Sequence, residues 1–292
     1  MMKKGIIIKG IGGFYDVKLD DDVLRCNARG KFRKDGIIPM VGDKVEVNTK
    51  DAVIETIMPR KNQFRRPLVS NIDYLGIVVS VNNPQPDLLL VDKLMLSAAV
   101  NSVESFIIIN KIDLAESQAE IEYIKDEYKL SGCTVLYISC RDGTGVDELK
   151  NELGSGITVF AGQSGVGKSS LINRLYPCQT REVGDISAKG RRGRHTTRSV
   201  ELLVMSDKKM IVDTPGFSAL GVDLMLPQEV QNYYNEFIPY ICECRYLGCM
   251  HNKEPDCAVK DAVNRGELPK GRYERYIRII ETIDEERRKQ RW

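Results

Sequence analysis

The chain has 292 residues, 42% hydrophobic and 29% charged, with 43 Lys and Arg against 41 Asp and Glu for a formal net charge of +2. At roughly 150 residues per domain this is material for about two domains with a sizeable core, and the composition excludes disordered, collagen-like and low-complexity classes. The near-neutral balance leaves any nucleic-acid partner to be argued from local charge clusters. No apolar run reaches the ~18 residues of a membrane helix, and Ile6–Ile8 is far short of the roughly 7 to 15 residues of a signal-peptide core, so a cytoplasmic protein without a membrane partner is expected. Of the eight cysteines, Cys26, Cys133, Cys140 and Cys178 are scattered, while Cys242, Cys244, Cys249 and Cys257 crowd around His251. That distribution fits a reduced protein with one metal site better than a disulfide framework.

Residues 1 to about 68 read as short strands punctuated by glycine turns, with Lys44–Val47 alternating and Ala52–Ile57 rich in β-formers; no helical period is visible. A small barrel of the OB type is expected, ahead of an SH3-like one. Eleven basic against five acidic side chains between Arg25 and Arg66 make it a candidate RNA platform. From residue 69 strands and helices alternate. Strands are expected at Tyr74–Val81, Ser105–Ile109, Thr134–Ile138, Ile157–Phe160, Val200–Val204 and Met210–Val212. Helices are expected from Asp87 to about Val100, around Ile121, Ile124 and Tyr128, and around Val146, Leu149 and Leu153. This alternation predicts an α/β domain with a mostly parallel sheet. Beyond about residue 223 strands disappear. Val230, Tyr234, Phe237 and Ile241 suit one helix, and Tyr273, Ile277, Ile280 and Ile283 suit another, with the cysteine–histidine cluster between them.

Four motifs carry chemistry. Gly162, Gln163, Ser164, Gly165, Val166, Gly167, Lys168 and Ser169 spell GxxxxGKS after an apolar strand, with a helix expected from Ser169 to about Tyr176 and Ser170 in its first turn. Glycines let backbone N–H groups close around phosphates, Lys168 reaches the β and γ oxygens, and Ser169 is a Mg²⁺ ligand. Asp213-Thr-Pro-Gly216 also follows a strand; the carboxylate suits the outer sphere of Mg²⁺ and the Gly216 N–H suits a γ-phosphate. Asn110, Lys111 and Asp113 form NKxD at a strand end. An acceptor-only carboxylate suits the two adjacent donors of guanine and leaves adenine unmatched. Finally Cys244, Cys249, His251 and Cys257 give three thiolates and an imidazole, a closed tetrahedral set for structural Zn²⁺, with Cys242 as a competitor for Cys244.

The order of these motifs is unusual: NKxD, Ser139-Cys140, GxxxxGKS, Thr196-Thr197, then DTPG. In ordinary GTPases the phosphate loop comes first. The chain therefore resembles the circularly permuted GTPases and, with a basic barrel before them and a Cys/His cluster after, is similar over nearly its whole length to the bacterial ribosome small-subunit-dependent GTPase A family. The resemblance implies an OB barrel over 1–68, a permuted GTPase domain over 69–222 and a helical zinc-binding domain over 223–292. It implies Ser139 and Cys140 as the base-capping loop, Thr197 in preference to Thr196 as the switch threonine on Mg²⁺, Cys244 in preference to Cys242 on zinc, and His195 beside Lys168 and Thr197 in the catalytic set.

Phe217 follows DTPG where Ras-like enzymes place a water-orienting Gln, so slow intrinsic turnover is expected, with His195 as the candidate to orient the water. Arg191, Arg192 and Arg194 suit rRNA phosphates better than a finger role. The implied function is hydrolysis of GTP to GDP and phosphate in late maturation of the small (30S) ribosomal subunit, stimulated by that subunit and its rRNA, by a monomer. The alternative is a nucleotide-regulated RNA-binding module in which hydrolysis is incidental. The last segment, with Arg275, Arg278, Arg287, Arg288, Lys289 and Arg291 among acidic residues, reads equally as an RNA contact or a solvated helix.

Overall fold

Strand β1, Met2–Ile11, is the longest of the amino-terminal set and explains how the barrel closes. It is followed by β2 (Phe14–Lys18), β3 (Val23–Ala28), a one-turn helix α1 (Gly30–Lys34), β4 (Lys44–Asn48) and β5 (Val53–Ile57). The order is β1-β2-β3-β5-β4, and β1 returns to pair with β4 from Met2↔Asn48 to Ile6↔Lys44. β3 and β5 run parallel, the other neighbours antiparallel, as in an OB-type barrel. Alternate residues point inward: Ile7, Val17, Cys26, Val45, Val47 and Ile54 form its core. Helix α1 is a departure from the sequence expectation. Five residues are too few to show a helical period, and its only signal is Phe32, which packs into the barrel core.

A hairpin, β6 (Gln63–Arg65) and β7 (Leu68–Ser70), follows the barrel. A buried carboxylate, Asp43, ties this region together. It accepts from Arg60 Nε at 2.7 Å, Arg60 Nη2 at 2.8 Å, Ser70 Oγ at 2.6 Å and the Met40 N–H at 2.8 Å. Arg60, counted above among the basic side chains of the barrel, is therefore part of its framework, and Arg29 is held by Glu55 at 2.7 Å.

The structure, a computed structural model, describes residues 1–20, 22–65, 67–177, 200–213 and 225–290. They divide into two units, one of Met1–Leu75, Val146–Phe160 and Lys168–Phe217, the other of Gly76–Gly145, Ala161–Gly167 and Ser218–Trp292. β8 (Tyr74–Ser80) leads into the second unit. There α2 (Leu88–Val100) starts where the Asp87 carboxylate accepts the Leu90 N–H. β9 (Glu104–Asn110), α3 (Gln118–Tyr128) and β10 (Thr134–Tyr137) follow, and β9 pairs in parallel with β10 in the order β10-β9-β8.

In the first unit, α4 (Val146–Glu152), β11 (Gly156–Ala161), α5 (Lys168–Leu175), β12 (Glu201–Val204) and β13 (Lys209–Asp213) follow. β11 and β13 are parallel, whereas β12 runs antiparallel to β13 and continues onto the barrel through Lys9↔Glu201. The barrel is thus not a free-standing sheet. β4 stops pairing at Ile6, so the outer edge of β1 beyond that point is open and takes β12.

The carboxy-terminal part of the second unit is helical, as expected, but not in two simple helices. Val230, Tyr234 and Phe237 are buried together, yet the chain runs as 3-10 turns at Pro227–Tyr233 and Asn235–Phe237 and a short α6 (Ile238–Ile241). Tyr234, at φ −106° and ψ 89°, breaks the helix between them. α7 (Ala258–Asn264) and the long α8 (Lys270–Gln290) complete it. Arg275, open above to an RNA role, is interior: its Nε donates to Asp92 Oδ2 at 2.6 Å and its Nη1 lies 2.8 Å from Glu127. Asp92 also receives Arg272 Nη1 at 2.5 Å and Tyr128 OH at 2.7 Å, while Arg272 Nε reaches Glu236 at 2.7 Å. Four elements, α2, α3, the Asn235–Phe237 turn and α8, meet on these charges.

Candidate guanine-nucleotide and metal sites

The base end of the site is built where β9 and β10 stop. Asn110 is fully buried at the end of β9, and its amide spans two loops. Nδ2 donates to the Val166 carbonyl at 2.8 Å, and Oδ1 accepts the Cys140 N–H at 3.2 Å. One side chain thereby sets the phosphate loop against the Ser139-Cys140 turn. Lys111 next to it adopts a left-handed conformation, φ 64°, which turns the chain so that Asp113 faces the loop after β10. Ser139 Oγ donates to Asp113 Oδ1 at 2.6 Å, and Arg141 stands 3.9 Å from Oδ2. The carboxylate is oriented from one side by a hydroxyl. Lys111 Nζ rests on the Asn83 carbonyl at 2.5 Å, a partner from the β8–α2 loop that no motif announces.

Within the same unit the loop Gly162–Gly167 shows why glycine stands at its ends. Gly162 has φ +144° and an added Cβ would lie 2.1 Å from the Val78 carbonyl oxygen; Gly167, at φ +101°, would meet Asn110 Nδ2 at 2.3 Å. Gln163 is half-buried, Ser164 and Gly165 are exposed, and Val166 anchors the loop in the core.

In the other unit α5 begins at Lys168, with the hydroxyls of Ser169 and Ser170 exposed at its first turn. Backbone N–H groups without intrahelical partners and the helix dipole favour an anion there. Burial draws the Lys168 ammonium below its ordinary pKa, a penalty that bound phosphates offset. Val159 pairs with Val212, so Asp213 leaves β13 level with Phe160 of β11. The donors here, Ser169 and Asp213, are all oxygen, which fits Mg²⁺. His195, expected to orient the water, Thr196 and Thr197, expected at Mg²⁺, and Gly216, expected at the γ-phosphate, lie outside the described residues.

The second site is the cysteine–histidine knuckle. Cys244, Cys249, His251 and Cys257 bring their ligand atoms within 4.8 Å of one another. Cys244 and Cys257 Sγ are 3.9 Å apart, and His251 Nδ1 lies 3.5 and 3.3 Å from them. A tetrahedral ion with bonds of about 2.3 Å to sulfur and about 2.0 Å to nitrogen separates its ligands by roughly these spans, so the four residues fit Zn²⁺. Burial pushes the Cys249 thiol up to about 12 and also raises Cys257, so ionising them calls for a cation in their midst. Cys242 is exposed and lies outside the cluster. Sequence reasoning missed Gln231, whose Oε1 meets His251 Nε2 at 2.7 Å from twenty residues upstream. A lone Gln in an apolar helical pattern gives no signal of this kind.

A guanine-type acceptor first, then a strand-borne phosphate loop, then a magnesium carboxylate along the chain define a circularly permuted P-loop GTPase. A family model described as RsgA GTPase matches residues 57–223, and one described as RsgA N-terminal domain matches residues 4–55. The chain belongs to the RsgA GTPase family. The small ribosomal subunit biogenesis GTPase RsgA of Caldanaerobacter subterraneus subsp. tengcongensis is 43% identical, covering 98% of this chain and 97% of its own. That of Clostridium beijerinckii is 44% identical over 99% of both. Among solved structures, YjeQ from Thermotoga maritima superposes with a TM-score of 0.82 at 32% identity, covering 97% of this chain and 98% of its own. YloQ, described as a circularly permuted GTPase, gives 0.80 at 33% identity over 98% and 96%. Among the described residues no helix is long and apolar enough to cross a membrane.

Proposed function

We propose that this GTPase acts in maturation of the small ribosomal subunit, binding its rRNA and hydrolysing GTP when that subunit engages it, as a monomer in the cytoplasm. The observation that carries the nucleotide reading is Asn110, whose amide joins the phosphate loop at Val166 to the base loop at Cys140 beside an Asp113 already oriented by Ser139. The ribosomal reading is supported by the names of the relatives and by the basic barrel. In this reading the barrel (1–68), the GTPase segment (69–222) and the zinc segment (223–292) divide the work.

Asp113 accepts from guanine; Asn110, Lys111, Ser139 and Cys140 shape the base pocket. The loop Gly162–Gly167 and Lys168 hold the phosphates. Ser169 and Thr197, with Thr196 adjacent and Asp213 behind, hold Mg²⁺, which when bound neutralises charge on the β and γ oxygens. Ser170 closes the first turn of α5, and the Gly216 N–H meets the γ-phosphate. His195 orients a water whose oxygen bonds to the γ-phosphorus while the bond to the β–γ bridging oxygen breaks, releasing GDP and phosphate. Cys244, Cys249, His251 and Cys257 hold one structural Zn²⁺.

The test is GTP hydrolysis with and without purified small subunits, with large subunits and free RNA as controls. Stimulation by small subunits alone, lost in His195→Ala, is expected. Slow hydrolysis indifferent to every addition would favour an RNA-binding module in which turnover is incidental.

A further inference from the structure

Gln231 lies on the Pro227–Tyr233 turn, 8% exposed, against a His251 that is wholly buried. The direction of its amide is fixed from the far end. Nε2 is 3.0 Å from the Gln228 carbonyl, which only accepts, so the other end of the amide, toward the imidazole, is the oxygen. That oxygen also only accepts, and it sits 2.7 Å from His251 Nε2. Nε2 therefore carries the ring proton. A neutral imidazole protonated there has its lone pair on Nδ1, and Nδ1 is the atom that faces Cys257 and Cys244 at 3.3 and 3.5 Å.

We propose that Gln231 is a positioning residue of the metal site: its amide oxygen holds His251 as the Nε2–H tautomer, so that zinc is ligated through Nδ1. The proposal rests on the reading of the four residues as a zinc site.

The backbone of the knuckle is braced to the same end. His251 takes a left-handed conformation, φ 58°, and its carbonyl accepts from Tyr273 OH at 2.7 Å. The Met250 carbonyl accepts from Tyr276 OH at 3.0 Å, and the Glu254 carboxylate receives the Met250 and Asn252 N–H groups, each at 3.0 Å. With the main chain so held, the remaining freedom of His251 is rotation of the ring, and Gln231 removes it. Partners of this kind raise the basicity of a histidine ligand as well as orient it.

The chain has two histidines, His195 and His251, so full-length zinc-loaded protein labelled with ¹⁵N in its imidazoles shows two ring systems, assigned with His195→Gln. The expected spectrum gives His251 a metal-bound Nδ1 and a slowly exchanging Nε2–H. The reverse, a metal-bound Nε2 with a proton on Nδ1, overturns the proposal without touching the zinc reading. Protein purified without chelator that lacks stoichiometric zinc overturns both. In competition against a chromogenic chelator, Gln231→Leu is expected to hold zinc about 10- to 100-fold more weakly, while Gln231→Glu, which still accepts from Nε2, stays near the wild-type affinity. Equal affinities for all three proteins overturn the positioning role, and the imidazole spectrum of the wild type decides the tautomer even if a variant does not fold.

Discussion

At the scale of single residues the base pocket depends on charge type. Asp113→Asn swaps one acceptor oxygen for a donor, and an amide pointed at guanine's donors is repelled. GDP affinity should fall by roughly 100-fold, about 3 kcal/mol, in titrations with a fluorescent guanine nucleotide. Ser139→Ala only frees the carboxylate to rotate and should cost about 1 kcal/mol, under tenfold. Equal losses would mean that Ser139 itself contacts the nucleotide. Gly162→Ala places a methyl 2.1 Å from the Val78 carbonyl at φ +144°, so the loop must move. The expected result is a folded protein whose melting temperature no longer rises with GDP and Mg²⁺, as it does in the wild type. Asn110, Lys111, Asp113 and the GxxxxGKS run stand out as candidates in the sequence because phosphates and guanine impose residue types at fixed short spacings, whereas Ser139 enters only through the family resemblance. The Asn83 carbonyl under Lys111 does not stand out, because a backbone atom leaves no mark in the sequence. Nor does Gln231, because its partner is twenty residues away and either residue alone is ordinary.

At the scale of elements, the most consequential packing is between α2, α3 and α8. Asp92 bridges two guanidinium groups that are themselves nearly out of solvent, so Asp92→Ala strips both of a buried partner, together with the Tyr128 hydroxyl, and leaves Arg272 to Glu236 and Arg275 to Glu127. A loss of about 3–5 kcal/mol is expected by denaturant unfolding of the full chain, and less for Asp92→Asn, which keeps the shape and part of the hydrogen bonding. A loss below 1 kcal/mol would show that water reaches Arg272 and Arg275. The sequence showed where α8 lies, from the apolar period at Tyr273, Ile277, Ile280 and Ile283, but not which way its arginines point. Arg272 and Arg275 fall on the inward face only because Asp92, nearly two hundred residues earlier, is there to meet them. The same blindness to tertiary context explains the expected helix at Val230–Ile241. Val230, Tyr234 and Phe237 of the expected pattern are buried and Ile241 is half-buried, but periodicity does not separate an α-helix from two 3-10 turns with a break at Tyr234. Strand boundaries in the GTPase segment held to within a residue or two, since strands flanked by glycine and by motif loops mark their own ends.

At the scale of the whole molecule, metal removal should be felt well beyond four ligands. Cys249 and Cys257 belong to the same buried cluster as Val230, Tyr234, Phe237, Tyr276 and Ile280. Treatment with a strong zinc chelator should therefore lower the melting temperature and expose the 225–290 segment to limited proteolysis, with the barrel fragment surviving. The barrel boundary can be tested in the same way. Asp43 takes one of its donors from Ser70, and the Gly42 carbonyl accepts from Asn71 at 2.9 Å, so a fragment ending at 72 should be more stable than one ending at 68 by about 1–3 kcal/mol. Equal stabilities would place the true boundary earlier. The joining of β12 to β1 has a further consequence, for the chain as it is made. All five barrel strands have been synthesised by Ile57, and the closing pairs of β1 with β4 are available at once. Glu201, the partner of Lys9, follows roughly 140 residues later, some 7 to 30 s at ordinary elongation rates, long after a small barrel has folded. The nascent chain thus carries a finished edge that waits for its last neighbour, and the final strands of the GTPase sheet are laid against a template already standing outside the exit tunnel.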